Sequence, residues 1–135
     1  MKLTPSLRSA IATEILAAMS NGSSVSPKLE IYDGTEPSNM GETITDTMLT
    51  EHDLIDAVGS VSGGTITFGT IAEDTSANAS GDAGWARILD RAGAEVMYLT
   101  VTAAGSGGNI QLNSVSISSG LAVSITSGTF TVGGA

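Results

Sequence analysis

Cysteine is absent from these 135 residues, histidine occurs once, and five Lys/Arg stand against fourteen Asp/Glu. Each scarcity removes a class of chemistry. Without cysteine there is no disulfide framework and no thiolate nucleophile, although this leaves the cellular compartment open. With one histidine, a Ser/His/Asp triad would have to be built on His52, and no Gly-x-Ser-x-Gly elbow accompanies it. A formal net charge of −9 repels phosphate backbones and anionic membrane surfaces and leaves no basic stripe, which argues against both as partners. No segment approaches the roughly 20 apolar residues needed to span a bilayer. Aromatic side chains are confined to Tyr32, Phe68, Trp85, Tyr98 and Phe130, so a thin aliphatic core is expected, with oligomer contacts supplying what it lacks. A length of this order suits one domain that buries about two-thirds of the surface its unfolded chain exposes.

What is present is β-pattern. From residue 64 to 132 the chain runs in short alternating apolar and Ser/Thr segments broken by glycines, with scarcely a charge after Glu95. Asn109-Ile110-Gln111-Leu112, Val115-Ser116-Ile117, Leu121-Ala122-Val123-Ser124-Ile125 and Phe130-Thr131-Val132 each keep period two, the mark of a strand with one buried face. The phase slips at Asn113-Ser114 and near Ser127-Gly128, where a bulge or tight turn would return apolar side chains to the core.

Upstream, Thr4 is placed to cap a helix with Pro5 at its first position, and Asn21-Gly22 stops it, which predicts a helix over 5–20. Lys2 and Leu16-Ala17-Ala18 faintly resemble a signal peptide, but Pro5, Arg8 and Glu14 interrupt the apolar stretch. Leu7, Ile11, Ile15 and Met19 fall at helical spacing, while Arg8, Ser9, Thr13 and Glu14 take other angles. That apolar stripe packs either on the chain's own sheet or on a partner. Lys28 to Tyr32 reads as a strand stopped by Asp33-Gly34, residues 36–46 as an exposed loop, and 48–57 as a strand of mixed pattern. Thr65 to Phe68 is a further strand, and 74–82 a loop. The segments 83–89 and 95–102 form a hairpin around Asp90-Arg91-Ala92-Gly93. The sum is a mainly β chain: an antiparallel β-sandwich or jelly roll with one N-terminal amphipathic helix. It divides into a helical arm over 1–22 and a single β-sandwich domain over 23–135.

Candidate chemistry is sparse. His52 lies between Glu51 and Asp53, but adjacent strand residues point to opposite faces, so a polar surface cluster is expected rather than a zinc site. Glu73, Asp74 and Asp82 could pair for glycoside chemistry, yet the aromatic platform such clefts use could come only from Trp85. Trp85 beside Arg87 in a strand suits packing better than a ligand platform. Asp33-Gly34-Thr35-Glu36 lacks the spacing of an EF-hand loop, and the Gly63-Gly64 and Gly107-Gly108 pairs sit between strands, away from any strand-to-helix phosphate cradle. No cofactor, metal ligand set or catalytic residue is assigned, and no enzymatic activity is expected.

Three segments carry a resemblance: Leu29 to Pro37, Asp74 to Asp90, and Ile110 to Ile117, in that order behind an N-terminal helix. Together they resemble small structural proteins of tailed bacteriophages and prophages, and the likeness covers most of the chain from residue 29 onward. The resemblance implies a virion component and carries over no catalytic residue. Within a virion, small size, β-structure and acidic charge favour a capsid decoration or cement protein on the outer head shell. It would contact the major capsid protein and form a homo-oligomer, commonly a trimer in such proteins, with Leu7, Ile11, Ile15 and Met19 as the candidate contact stripe. The alternative is a neck, tail or fibre-associated protein, acting as an adaptor or as a host-glycan binder for which Trp85 would be the platform.

Overall fold

A computed structural model describes residues 1–55 and 58–135. Among the described residues one helix, α1 (Pro5–Met19), precedes ten strands: β1 (Lys28–Tyr32), β2 (Met48–Asp53), β3 (Gly59–Ser62), β4 (Thr65–Phe68), β5 (Gly81–Asp82), β6 (Trp85–Leu89), β7 (Glu95–Ala103), β8 (Ile110–Leu112), β9 (Ser116–Ile117) and β10 (Ile125–Thr131). Eight of them form one curled sheet in the order β2-β1-β6-β7-β8-β10-β4-β3, and β5 pairs with β9 in a second, small sheet. The fold is mainly β with a single N-terminal helix, as the pattern predicts.

The helix begins where expected, with the Thr4 side chain accepting from the Leu7 amide and Pro5 in the first turn. Its inward face, however, is rotated from the predicted stripe. Ala12 and Met19 are fully buried, Ile15 and Leu16 are partly buried beside them, and Leu7 is 47% exposed. Arg8 also turns inward, donating from Nε and Nη2 to the Val132 carbonyl at 3.1 and 2.9 Å. Small Ala12 lets α1 approach the sheet closely, where it packs with Ile66 and Val132.

The hairpin predicted at Asp90 to Gly93 is present. Asp90 Oδ1 accepts from the Ala92 and Ala94 amides, and Gly93 takes the positive φ (84°) that the turn needs. A two-residue turn joins β3 to β4, with Gly63 and Gly64 both at positive φ, the demand of a type I′ turn. The predicted phase slip near Ser127 is a register shift between Ile125 and Ser127 in the pairing of β10 with β8. The slip at Asn113-Ser114 is a change of sheet, from β8 to β9.

Three expectations are corrected, and the strand predicted from Met48 is found. The antiparallel rule breaks at β7 and β8, which pair in parallel from Val101–Ile110 to Ala103–Leu112. Parallel neighbours ordinarily need a long crossover. Here β8 spans only three residues, so loop 104–109 has merely to double back along β7. Asn109 pins that return by accepting from both the amide and the hydroxyl of Thr100. Leu121 to Ser124 is not a continuous strand: Val123 makes an isolated bridge to Asp74 and Leu121 is exposed. The mixed pattern after Met48 resolves as β2, in which a register shift opposite Ile31 and Tyr32 leaves Leu49 extra, so that consecutive Leu49 and Thr50 are both buried. The end of that predicted segment, residues 56 and 57, lies outside the described residues. Finally, β3 was not among the predicted strands.

The two edges of the large sheet are treated differently. Along β2, segment 72–78 seals the outer edge: Ala72 N donates to Asp53 O, the Glu51 amide to Asp74 Oδ2, and Asn78 N to Leu49 O. The same segment reaches across to 121–123, where Asp74 and Val123 exchange backbone hydrogen bonds and Ala77 N donates to Leu121 O. At the other end stands β3 with α1 packed on it and on β4.

Candidate functional site

The chain's most concentrated polar arrangement lies on the outer face of β1, β6 and β7. Alternation along β1 sends Leu29 and Ile31 into the apolar core and Glu30 and Tyr32 to the opposite face, yet all four are buried. A strand buried on both faces must find partners for its polar side, since an unpaired buried carboxylate is costly. The pairing register supplies them: Glu30 lies opposite Arg87, and Arg87 opposite Tyr98.

Glu30 Oε2 accepts from Arg87 Nη2 at 2.7 Å, from Arg87 Nε at 2.9 Å and from the Tyr32 hydroxyl at 2.7 Å. Arg87 Nη2 also donates to the Tyr32 oxygen at 3.0 Å, and Nη1 reaches Glu95 Oε2 at 3.2 Å. Tyr98 closes the set by donating to Glu95 at 2.8 Å. Beside it, Trp85 stacks on Tyr32 with ring centroids 4.6 Å apart, takes the edge of Tyr98 at 5.0 Å, and donates from Nε1 to Asp46 Oδ2 at 2.9 Å. Through Asp46 the loop between β1 and β2 is tied down over this face.

The electrostatics follow from that packing. Burial, reinforced by the Glu30 carboxylate, pushes the Tyr32 phenol up to about 12. Burial and Glu95 likewise raise Tyr98. Burial would lower Arg87 and raise Glu95, but in each case the hydrogen-bonded partners outweigh it, so the guanidinium is held charged and the Glu95 carboxyl lies below its ordinary range. Tyr32 thus stays a neutral donor at physiological pH and Arg87 a fixed cation. The arrangement holds the Asp46 loop through the Trp85 indole.

The predicted site residues fare unequally. Trp85 is 1% exposed, so it is no open platform for a sugar ring: Tyr32 covers one of its faces. Only its margin lines a small cleft with Gly34, Thr35, Glu36, Gly84 and Thr100. Of the candidate contact stripe Leu7, Ile11, Ile15 and Met19, all but Leu7 pack on the chain's own core, the first of the two arrangements the sequence allows. Met19 is fully buried in the chain's own core, Ile11 and Ile15 are partly buried against it, and only Leu7 remains exposed. The rotation has a physical reason: the helix seats small Ala12 against the sheet, which turns Leu7 outward.

His52 is not part of a surface cluster. It faces inward, fully buried, with Nδ1 donating to the Ala72 carbonyl at 2.8 Å and Nε2 accepting from the Thr50 hydroxyl at 3.0 Å. Burial lowers its pKa, and the neutral ring fits these partners. Glu51 and Asp53 point the other way and share Lys28 at 3.0 and 2.7 Å. The carboxylates proposed for glycoside chemistry have separate structural partners: Asp74 accepts from the Glu51 and Ser76 amides, and Glu73 from the Ser124 hydroxyl, while Asp82 sits in β5. Asp33 Oδ1 accepts from the Thr47 amide, closing the base of the long loop.

Sequence reasoning missed Glu30, Tyr32, Glu95 and Tyr98. Half of the signal was local: the 90–93 turn sets Arg87 opposite Tyr98. The other half, β1 beside β6, joins residues 57 positions apart, as in the Glu30–Arg87 pair, and has no short-range cue.

Among the described residues no helix is long and apolar enough to cross a membrane, and no three His, Asp or Glu converge as metal ligands. Comparison with protein-family models, curated proteins and solved structures found no match.

Proposed function

We propose that this chain is a structural protein of a tailed-phage particle, a decoration or cement protein on the outer surface of the head. The observation that carries the reading is spatial. The three segments that resemble phage structural proteins, far apart in sequence, are neighbours in the fold: β1 pairs with β6, and β5 pairs with β9. They form the region held by the Glu30–Arg87 network and the Trp85–Asp46 anchor. A mechanically braced unit is what a shell component needs, because its task is to stay folded while it holds neighbours. Within this reading the curled eight-stranded sheet and the small β5–β9 sheet are the two layers of a sandwich-like body.

The major capsid protein is the partner this reading assigns. Quantitative mass spectrometry of purified particles tests it through the copy number of this chain relative to the major capsid protein. Near-equal abundance supports decoration of the shell. A handful of copies moves the protein to the neck or tail, and absence from particles overturns the virion reading.

A further inference from the structure

Charge is partitioned across the large sheet. Every Asp, Glu, Lys and Arg lies within residues 1–56 and 73–95. Strands β3, β4, β8 and β10, which are contiguous at one end of the sheet, carry none. Their exposed side chains are hydroxyls, set in rows by the register: Ser60 opposite Thr67 and Thr67 opposite Thr129, then Ser62, Thr65 and Thr131. The terminal strand of this neutral half is β3, with the sequence Gly-Ser-Val-Ser.

An edge strand exposes a row of backbone donors and acceptors, which proteins commonly mask with charge, proline, bulges or a covering segment. The β2 edge is covered in that way by segment 72–78. β3 has no charge, proline or register shift. The phase of its hydrogen bonds is fixed by Gly69 N donating to the Val58 carbonyl at 2.9 Å and by the two-residue turn closing Ser62 on Thr65. Residues 58, 60 and 62 therefore bond toward β4, and Gly59 and Val61 turn their N–H and C=O groups to the open edge. Among the described residues no other segment bonds to these groups.

We propose that the β3 edge is the interface between two copies of this chain, joined as antiparallel β3–β3 pairs about a twofold axis through Ser60. Gly59 of each copy then exchanges hydrogen bonds with Val61 of the other, and one sheet continues through both molecules. A second copy is the occupant because of the charge partition. With fourteen acidic and five basic side chains, two copies meeting through their charged halves repel, whereas neutral β3 meets neutral β3 without that penalty. The strand is four residues long, so the interface is small and the association weak, populated only at high concentration.

Sedimentation of the isolated full-length chain from low-micromolar to several hundred micromolar, with amide hydrogen exchange over the same range, tests the proposal apart from any capsid. The expected result is a monomer–dimer equilibrium in which the Gly59 and Val61 amides gain protection with concentration. The Ser60 and Ser62 amides, already bonded to β4, should be protected throughout. Ser60→Glu changes an exposed side chain and places like charges directly opposite across the axis, so the dissociation constant should rise about tenfold or more. A monomer at every concentration overturns the proposal. So does a dimer whose Gly59 and Val61 exchange is independent of concentration, or one indifferent to Ser60→Glu.

Discussion

Replacing Arg87 by methionine is the sharpest test of how the outer-face network supports the fold. Methionine keeps much of the aliphatic stem and removes the guanidinium. It strips the nearly buried Glu30 carboxylate of its paired cation and leaves it the Tyr32 hydroxyl as a donor. Breaking a fully buried ion pair by removing one partner costs about 3–5 kcal/mol. The Arg87 side chain is 21% exposed and Glu30 9%, so water relieves part of the penalty and about 2–3 kcal/mol is expected. For a chain of this length that is a fall in Tm of about 6–10 °C. Urea unfolding should show the midpoint shift at unchanged slope. Adding Glu30→Gln to Arg87→Met removes the stranded charge and should recover more than half of the loss. The alkaline limb gives an independent check. Because the folded Tyr32 pKa is raised to about 12, its contribution is complete below the ordinary phenol value near 10 and is lost as pH rises from there through 12. Tyr32→Phe should flatten that limb. A loss below about 1 kcal/mol in Arg87→Met, or no recovery in the double variant, would refute the reasoning.

Lys28 offers the contrast. It bridges Glu51 and Asp53 at the surface, so Lys28→Ala should cost no more than about 1 kcal/mol, and less in high salt, by the same urea titration. His52 predicts acid sensitivity. As the only histidine, with a lowered folded pKa, it gives stability that is complete above the unfolded value near 6.5. That stability is lost as pH falls from there toward the folded pKa, by at most about 1.4 kcal/mol per pH unit. His52→Asn should abolish the slope between pH 6.5 and 5, and a slope unchanged in the variant would count against a buried neutral ring. At the β3–β4 turn, Gly63→Asn should be tolerated, since φ is 57° with open space around a Cβ. Gly64→Ala should cost about 1–3 kcal/mol in thermal unfolding, because φ is 82° and its Cβ would lie 2.8 Å from Arg8 Cβ.

What could be read from the sequence was what neighbours in the chain decide. The cap at Thr4, the Asp90 turn and the slip at Ser127 each depend on a few adjacent residues, and each is where the pattern puts it. The strand β2 was ambiguous because an extra residue in its pairing with β1 breaks the period that would have announced it. Strand β3 escaped notice because two of its four residues are serines and a third is glycine, types that read as loop until β4 pairs with them. The parallel β7–β8 pair was missed because short strands joined by a short loop read as a hairpin.

The outer-face network escaped for a different reason, and that reason separates fold from site in this chain. Glu30 and Arg87 look like ordinary solvent-facing positions of alternating strands, and alone each would be. In the fold Glu30 is buried and Arg87 largely covered, and the loop between β1 and β2 is tied to the same face by a contact that neither segment advertises, Trp85 to Asp46. Asp46 belongs to a stretch whose polarity reads as solvated, while Trp85 reads as core. The hydrogen bond between them converts an exposed sheet face into a second, polar interior. Loss of the indole N–H should therefore release the loop and expose the network, and the Glu30–Arg87 pair would then contribute as little as the pair at Lys28. The stability of the outer face rests on a tryptophan that composition alone would assign to the aliphatic core.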